Sequence, residues 1–293
     1  MRVTNKMAVE RVKANLQTTM ARLAEAQDRM STGKRLRRPS DDPPALSRAL
    51  TLRRSIAENE QYLRNLGSAT TWLASTDGAL ESAADLMTRA IALATRGANG
   101  TWGPEQMQAM SVEVDSMLDE LVQTANSSFG GDFLFSGFKQ GEPPFALSAG
   151  RSQVDYLGDT GLVQRTIGPA TAIAVGVPGQ DAFADAFASL IALRDTLASG
   201  DAVAVSQQLA DLQAAQNCVL AIRAKVGAQA NYLEEIQLML RNGQIEMKAR
   251  LSQDEDIDIA EATTQYALDE IMYKAALVTT AKALAPSLID YLT

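Results

Sequence analysis

The chain has 293 residues, a formal net charge of −8 and an isoelectric point of about 4.8, which disfavours nucleic acid or an anionic membrane as its main partner. It contains no histidine and a single cysteine, Cys218. These counts exclude His-dependent nucleophile pairs, His-containing metal sites, an internal disulfide and a Cys-x-x-Cys centre. We therefore predict no catalytic, cofactor-binding or metal-binding residue, and no enzyme activity.

Apolar residues recur in alternating steps of three and four along most of the chain. In chain order, these stripes run from Val9 to Met30, Leu52 to Ala94, Met107 to Leu121, Leu212 to Met247 and Ile257 to Leu292. A period of 3.5 is typical of helices that keep one narrow stripe against a partner helix over a long distance. The sequence therefore predicts a mainly α fold, an elongated coiled-coil helical bundle built from both chain ends.

Glycine and proline mark the breaks between these helices. Residues 31–44 combine Gly33 with three prolines and read as a linker, after which Ser40 or Asp41 is predicted to cap the next helix. Further breaks fall at 97–104 and 199–201. Three polar residues, Asn59, Thr70 and Asp77, lie on the second stripe, where they either fix the register of the helices or are solvated at the edge of the bundle.

The pattern changes between about residues 129 and 180. FGGDFLFSGF alternates apolar and polar residues, and short β-branched runs separated by glycine follow it. Such runs predict small strands and hairpins, which form a β-rich insertion at the tip of the bundle. We predict five segments: the N-terminal helix with its linker at 1–44, a long helical hairpin at 45–135, the insertion at 136–182, returning helices at 183–250 and the C-terminal helix at 251–293.

Two short motifs have the spacing of part of a ligand site but lack residues that the site requires. Thr32-Gly33-Lys34 lacks the first glycine and the final hydroxyl of a phosphate-binding loop, because Asp28 and Arg35 occupy those positions. Asp254, Asp256 and Asp258 have the first three spacings of a calcium loop, but the required glycine and glutamate are Ile259 and Gln265. Acidic residues at a helix start, where they favour the helix dipole, explain the second motif more simply.

The N-terminal residues show no apolar stretch of signal-peptide length, and no window approaches the length of a membrane span. We therefore expect no membrane insertion. A cytoplasmic protein is the simple interpretation, and export by a route without a cleaved signal stays open.

Three stretches resemble the bacterial flagellin family. MSTGKRLRRPSDDPPALSRAL, at 30–50, is similar to the family's N-terminal signature, which is close to LSTGKRIN-x-x-x-DDPAG, with Pro and Ala here in place of the final Ala and Gly. Residues 251–292 are similar to its C-terminal region, although they lack the Gln-rich core usual in filament flagellins. Residues 96–145, with ANGT, FLFSG and PPF in order, resemble members of the family that form the junction between hook and filament. The likeness covers well over half of the chain, and residues 146–183 carry no recognisable signature.

The resemblance implies a structural subunit of the flagellum, located at the hook–filament junction. Its implied partners are further copies of itself in a ring or short helical layer, the hook-side junction protein, flagellin, and the flagellar type III export apparatus with a dedicated chaperone. Export would need no cleaved signal peptide. Two alternatives stay open: a filament flagellin, and a coiled-coil secreted tip or translocator protein.

The two terminal stripes are the predicted assembly surface. Each belongs to a helix that cannot bury its stripe alone, so we expect the ends to fold as a helix pair against neighbouring subunits. The residues predicted to carry this contact are Val9, Val12, Leu16, Leu23 and Met30, facing Ile271, Val278, Leu288 and Leu292. The alternative is that the stripes close a bundle within one chain.

Overall fold

The computed structural model describes residues 5–284 except 37, 39 and 101, and this part of the chain contains six helices and three small hairpins. The helices are α1 (Asn5–Thr32), α2 (Pro43–Ala98), α3 (Pro104–Ala125), α4 (Gly179–Ser199), α5 (Ala202–Glu255) and α6 (Ile259–Leu284). The strands are β1 (Ser128–Phe129), β2 (Asp132–Phe133), β3 (Phe145–Leu147), β4 (Val154–Tyr156), β5 (Gln164–Gly168) and β6 (Thr171–Ala174). The predicted helical bundle with a small β-rich insertion is confirmed.

The described residues divide into two compact units. The terminal unit comprises the residues up to Ala57 and those from Gly243 onward, and the central unit comprises Glu58–Asn242. The first hairpin, β1–β2, precedes the predicted start of the insertion at 136. The five-segment division of the chain stays a prediction.

Aspartates cap the starts of α2, α5 and α6. The Asp42 carboxylate accepts a hydrogen bond from the Ala45 backbone N–H (3.1 Å), so the predicted cap at Ser40 or Asp41 is wrong by one or two positions. Asp41 instead accepts from the Arg38 N–H within the preceding turn (2.8 Å). Asp201 caps α5 and Asp258 caps α6 in the same way, which confirms that Asp258 serves a helix start. Pro43 fits the first turn of α2, where its missing N–H costs nothing.

The predicted stripes of the central unit form its core. On α2, Leu66, Leu73 and Leu80 are fully buried, and Val219 and Leu233 on α5 are fully buried as well. These residues belong to one continuous apolar cluster. A 3.5-residue period keeps each stripe against its partner helix, and for that reason the seam can run so far along both helices.

Two of the polar seam residues have partners across the bundle. The buried Asn59 amide donates to the Leu240 carbonyl (3.0 Å), while its Oδ1 has no hydrogen-bond partner among the described residues. Asp77 accepts from Arg223 (3.0 Å). Each contact joins a residue of α2 to a residue of α5, and both belong to the same alignment of the two helices. This supports a role in register. Thr70 bonds only its own helix, to the Leu66 carbonyl.

Phenylalanines from the segment between α3 and α4, and from α4 itself, form the core beneath the hairpins. Phe135 and Phe183 meet edge to face with ring centroids 4.8 Å apart, and Phe145 lies 5.2 Å from Phe187. Edge-to-face pairs of this kind add to the apolar burial. The Asn126 side chain ties the end of α3 to the Phe145 backbone through one donated and one accepted bond, each 2.9 Å.

The FLFSG motif is a buried turn. Leu134, Phe135 and Ser136 are buried, and Gly137 adopts φ +70°. A Cβ at Gly137 would lie 2.1 Å from the Asp159 carboxylate, so only glycine fits there. Backbone N–H donors from Phe138 and Gly161 hold that carboxylate and keep the pKa of Asp159 below its usual value.

Candidate assembly surface

Helix α1 packs against α6 within one chain. The α1 face that carries the predicted stripe is partly covered: Val12, Leu16 and Leu23 are half-buried and Ala26 is buried. Val9 and Met30, at its ends, are exposed. The single chain therefore forms the terminal helix pair that we expected only between subunits.

The face of α6 that turns inward is not the predicted one. Its covered positions repeat in steps of four and three and are Ala262, Tyr266, Asp269, Tyr273, Ala276 and Thr280. Ile271 is 63% exposed and Val278 is 55% exposed, which places both on the opposite side of the helix. In the single chain they do not face α1, and their contact with α1 on assembly stays a prediction. Leu288 and Leu292 lie outside the described residues.

The outer face of α6 is an exposed apolar stripe. We define this outer stripe as Ala260, Thr264, Ala267, Ile271 and Val278, all of which are exposed. Leu268 and Met272, beside it, are exposed as well. A helix that is apolar on both sides is normally buried on both sides. In the described part of the single chain, only one side is covered.

The signature turn after α1 is bonded to the turn before α6. The Arg35 N–H donates to the Glu255 carbonyl (2.7 Å), and the Ile257 N–H donates to the Gly33 carbonyl (3.1 Å). Gly33 ends α1 with φ +67°, a conformation that glycine adopts without steric cost. Lys34 and Asp256 thus pair as an antiparallel bridge between opposite ends of the chain.

Positively and negatively charged side chains surround this bridge. We call them the charged cluster: Lys34, Arg35, Arg48, Arg53, Asp254, Glu255 and Asp256. Lys34 Nζ lies 2.5 Å from Asp256 and 3.5 Å from Glu255, and Arg48 lies 2.8 Å from Asp254. Arg53 also bonds Glu255, whose side chain is only 7% exposed.

The contacts shift the ionisation of the cluster in favour of its charged form. The hydrogen bond from Lys34 is the largest cause that lowers the pKa of Asp256, and the bond from Arg48 does the same for the pKa of Asp254. The hydrogen bond to Asp256 raises the pKa of Lys34 in turn. At neutral pH, Lys34, Asp254 and Asp256 are therefore in their charged forms.

A cleft of about 470 Å³ lies between α1 and α6 beside the cluster. Its lining mixes basic and acidic side chains, including Arg22, Arg29, Asp258 and Glu261. Within the described ranges, no group of three or more cysteine, aspartate or glutamate side chains is placed to hold a metal ion. The same part of the chain has no helix with the length and apolarity that a bilayer crossing requires.

Residues 3–140 match the family model for the bacterial flagellin N-terminal helical region. The chain is 26% identical to flagellar hook-associated protein 3 of Salmonella typhimurium over 305 aligned positions, which cover 95% of this chain and 96% of that protein. It is also 26% identical to the flagellar filament 30.7 kDa core protein of Treponema maltophilum, over 87% of this chain and 86% of that one.

A solved structure shows the same fold. The flagellar junction protein FlgL from Legionella pneumophila superposes with a TM-score of 0.62 at 15% identity, covering 71% of this chain and all of that one. At that identity the likeness concerns the fold alone. The matched N-terminal region and the sequence similarity along nearly the whole chain show that this protein is similar to bacterial flagellins and to flagellar hook-associated protein 3.

Proposed function

We propose that this protein is a structural subunit of the bacterial flagellum that forms the junction layer between hook and filament. The observation that carries the proposal is the outer stripe of α6, in a chain similar along nearly its whole length to a hook-associated protein 3. Its role is mechanical, and it needs no catalytic residue.

Burial of the outer stripe between subunits provides the favourable free energy of assembly. Full burial of an Ile or Val side chain stabilises by about 1.5–3 kcal/mol, and Ile271 and Val278 are more than half exposed in the single chain. When a neighbouring copy covers the exposed part of this stripe, each subunit of a ring or short helical layer gains the corresponding share of that free energy. Val9 and Met30 on α1 are exposed as well.

The proposed partners follow from this position. The layer contacts the hook-side junction protein on one side and flagellin on the other. The subunit reaches it through the flagellar type III export apparatus, without a cleaved signal peptide and with a dedicated chaperone. An exposed apolar stripe on a terminal helix supports the need for a chaperone, because such surfaces associate nonspecifically.

A filament flagellin is the second candidate. The similarity to a filament core protein at the same 26% identity favours it. The match of residues 3–140 to the flagellin N-terminal helical region disfavours the other alternative, a secreted tip or translocator protein.

Electron microscopy of flagella from a strain that lacks the gene separates the two candidates. We expect hooks without filaments and flagellin released into the medium. Complementation with an epitope-tagged chain, followed by immunogold labelling, should place gold in a narrow band at the end of the hook. Gold along the whole filament would instead identify a filament flagellin, and normal filaments in the deletion strain would rule out both.

A further inference from the structure

The chain contains two Asn-Gly pairs, Asn99–Gly100 and Asn242–Gly243. In such a pair the backbone nitrogen of the second residue can attack the side-chain amide of the asparagine. Glycine hinders this attack least, because it has no side chain and its backbone is the most permissive. Asparagine counts among the thermolabile residues of proteins for this kind of reaction. Whether a pair reacts in the folded protein therefore depends on its local structure.

Asn99 and Gly100 lie in the turn that follows α2. The helix ends at Ala98, and Gly100 has φ +64°, in the left-handed region that glycine adopts without steric cost. Both residues of the pair are exposed, and within the described ranges the Gly100 N–H makes no backbone hydrogen bond. A Cβ built on Gly100 would meet no atom within 4 Å outside its chain neighbours. The attacking nitrogen is therefore unbonded, unobstructed and open to water.

The second pair has the same sequence in a different backbone. Asn242 and Gly243 lie inside α5, where each backbone N–H donates to the carbonyl four residues earlier. Attack by the Gly243 nitrogen requires this part of the helix to open, which costs free energy. Asn242 is exposed as well, so access to solvent does not distinguish the two pairs. The backbone conformation does.

Asn126, which precedes Ser127, is protected through its side chain. Its amide donates to the Phe145 carbonyl and its carbonyl accepts from the Phe145 N–H, each at 2.9 Å. Both bonds must break before the amide can turn toward a backbone nitrogen. Asn99 has neither a helical backbone nor a side-chain hydrogen bond to the described residues.

We propose that Asn99 is a site of spontaneous deamidation. The Gly100 nitrogen forms a bond to Asn99 Cγ, the bond from Cγ to Nδ2 breaks, and Nδ2 leaves as ammonia with the proton of the Gly100 N–H. Water then opens the succinimide ring at either of its carbonyls and leaves aspartate or isoaspartate at this position. Both products place a carboxylate directly after α2, at the end where the helix dipole disfavours negative charge. The site belongs to the chain itself and does not depend on the proposed place in the flagellum.

Peptide mapping by mass spectrometry of the full-length protein tests the proposal. One sample is kept folded in mildly alkaline buffer and another is unfolded in guanidinium chloride, and conversion appears as the mass difference between water and ammonia. We expect Asn99 to convert in the folded protein within about threefold of its rate in the unfolded chain. Asn126 and Asn242 should each convert at least about tenfold more slowly in the folded protein than in the unfolded chain. Comparing each residue with itself removes the difference between a following Gly and a following Ser.

A second measurement counts the isoaspartate product directly. A protein isoaspartate methyltransferase with labelled S-adenosylmethionine should label the folded protein after ageing. Asn99→Gln should lose most of this label, and the matched change Asn242→Gln should keep it. Two results would overturn the proposal. One is conversion of Asn99 that folding slows as strongly as conversion of the two other asparagines, and the other is equal labelling of the aged Asn99→Gln and Asn242→Gln proteins.

Discussion

Ile271 on the outer stripe separates assembly from folding. Ile271→Asp should leave the melting of the monomer unchanged, since the side chain is 63% exposed, and should abolish incorporation into flagella. After assembly a buried, unpaired carboxylate costs several kcal/mol in each subunit. Thermal melts and electron microscopy of a complemented strain measure the two effects.

The control for this prediction is Thr263→Asp, a change of the same charge at an exposed position on the flank of α6. It should assemble. Normal filaments with Ile271→Asp would remove the outer stripe from the assembly surface, and a lower melting temperature would show that Ile271 serves the fold. Leu288→Asp, on the predicted stripe but outside the described residues, provides the equivalent test near the chain end.

Acid should release the terminal helices before it unfolds the central unit. The pKa of Asp254 and of Asp256 lies below the ordinary value of 3.8 in the folded chain, so the unfolded state binds protons first as the pH falls. Their contribution to stability is present at neutral pH and is lost progressively below about pH 4. The raised pKa of Lys34 keeps its contribution until the pH exceeds 10.5.

Hydrogen exchange of α1 and α6 between pH 7 and pH 2, corrected for intrinsic rates, measures this loss. The variant with both Asp254→Asn and Asp256→Asn is the control, because it has no carboxylates to titrate at these positions. Its terminal helices should be less protected at neutral pH and less sensitive to acid. An acid response equal to that of the unmodified protein would assign the effect to other carboxylates.

At the scale of elements, the seam between α2 and α5 should dominate stability. Leu66→Ala and Leu233→Ala each remove a fully buried side chain and should each lower the free energy of unfolding by about 2–5 kcal/mol. Leu238→Ala, on the same helix as Leu233 but 61% exposed, should change it by less than about 0.5 kcal/mol. Urea unfolding of the three variants compares the effects, and equal losses would mean that the exposed face of α5 is covered in solution.

Hydrophobic spacing predicted the seam helices well, because each of them has one apolar stripe and one polar face. The same method failed on α6. That helix carries small and apolar residues on two opposite sides, so periodicity identifies two stripes and cannot tell which of them meets α1. Ile271 and Val278 were assigned to the pair, whereas Ala262 and Tyr266 lie on the covered side of α6 in the single chain.

The charged cluster was missed for a different reason. Lys34-Arg35 and Asp254-Glu255-Asp256 were treated as separate turn and helix-start residues, although both segments were predicted at the same end of the bundle. Opposite charges in two turns that a fold brings together are a usable signal. The precise bonds could not be predicted, because they depend on backbone geometry such as the φ of Gly33.

At the scale of the whole molecule, protease should remove the ends of the free subunit first. The terminal helices bury little apolar surface, whereas the central unit has a continuous core. Limited proteolysis should leave a fragment of roughly residues 45–245, identified by mass spectrometry. Ends as resistant as the centre would show that the pair of α1 and α6 is stable without neighbours.

The amide of Asn59 shows how the sequence balances the stability of the fold against the uniqueness of its helix register. Its Oδ1 is buried without a partner among the described residues, a cost that a leucine at this position would avoid. A leucine would also erase the bond to Leu240, which, like the bond between Asp77 and Arg223, distinguishes one alignment of α2 and α5 from an alignment shifted by a heptad. Selection for stability alone would thus favour a chain that can fold with α2 and α5 in either of two registers. Subunits that differ in length cannot form a closed layer. The unpaired oxygen is the cost of an amide whose bond to Leu240 keeps every copy in the same register.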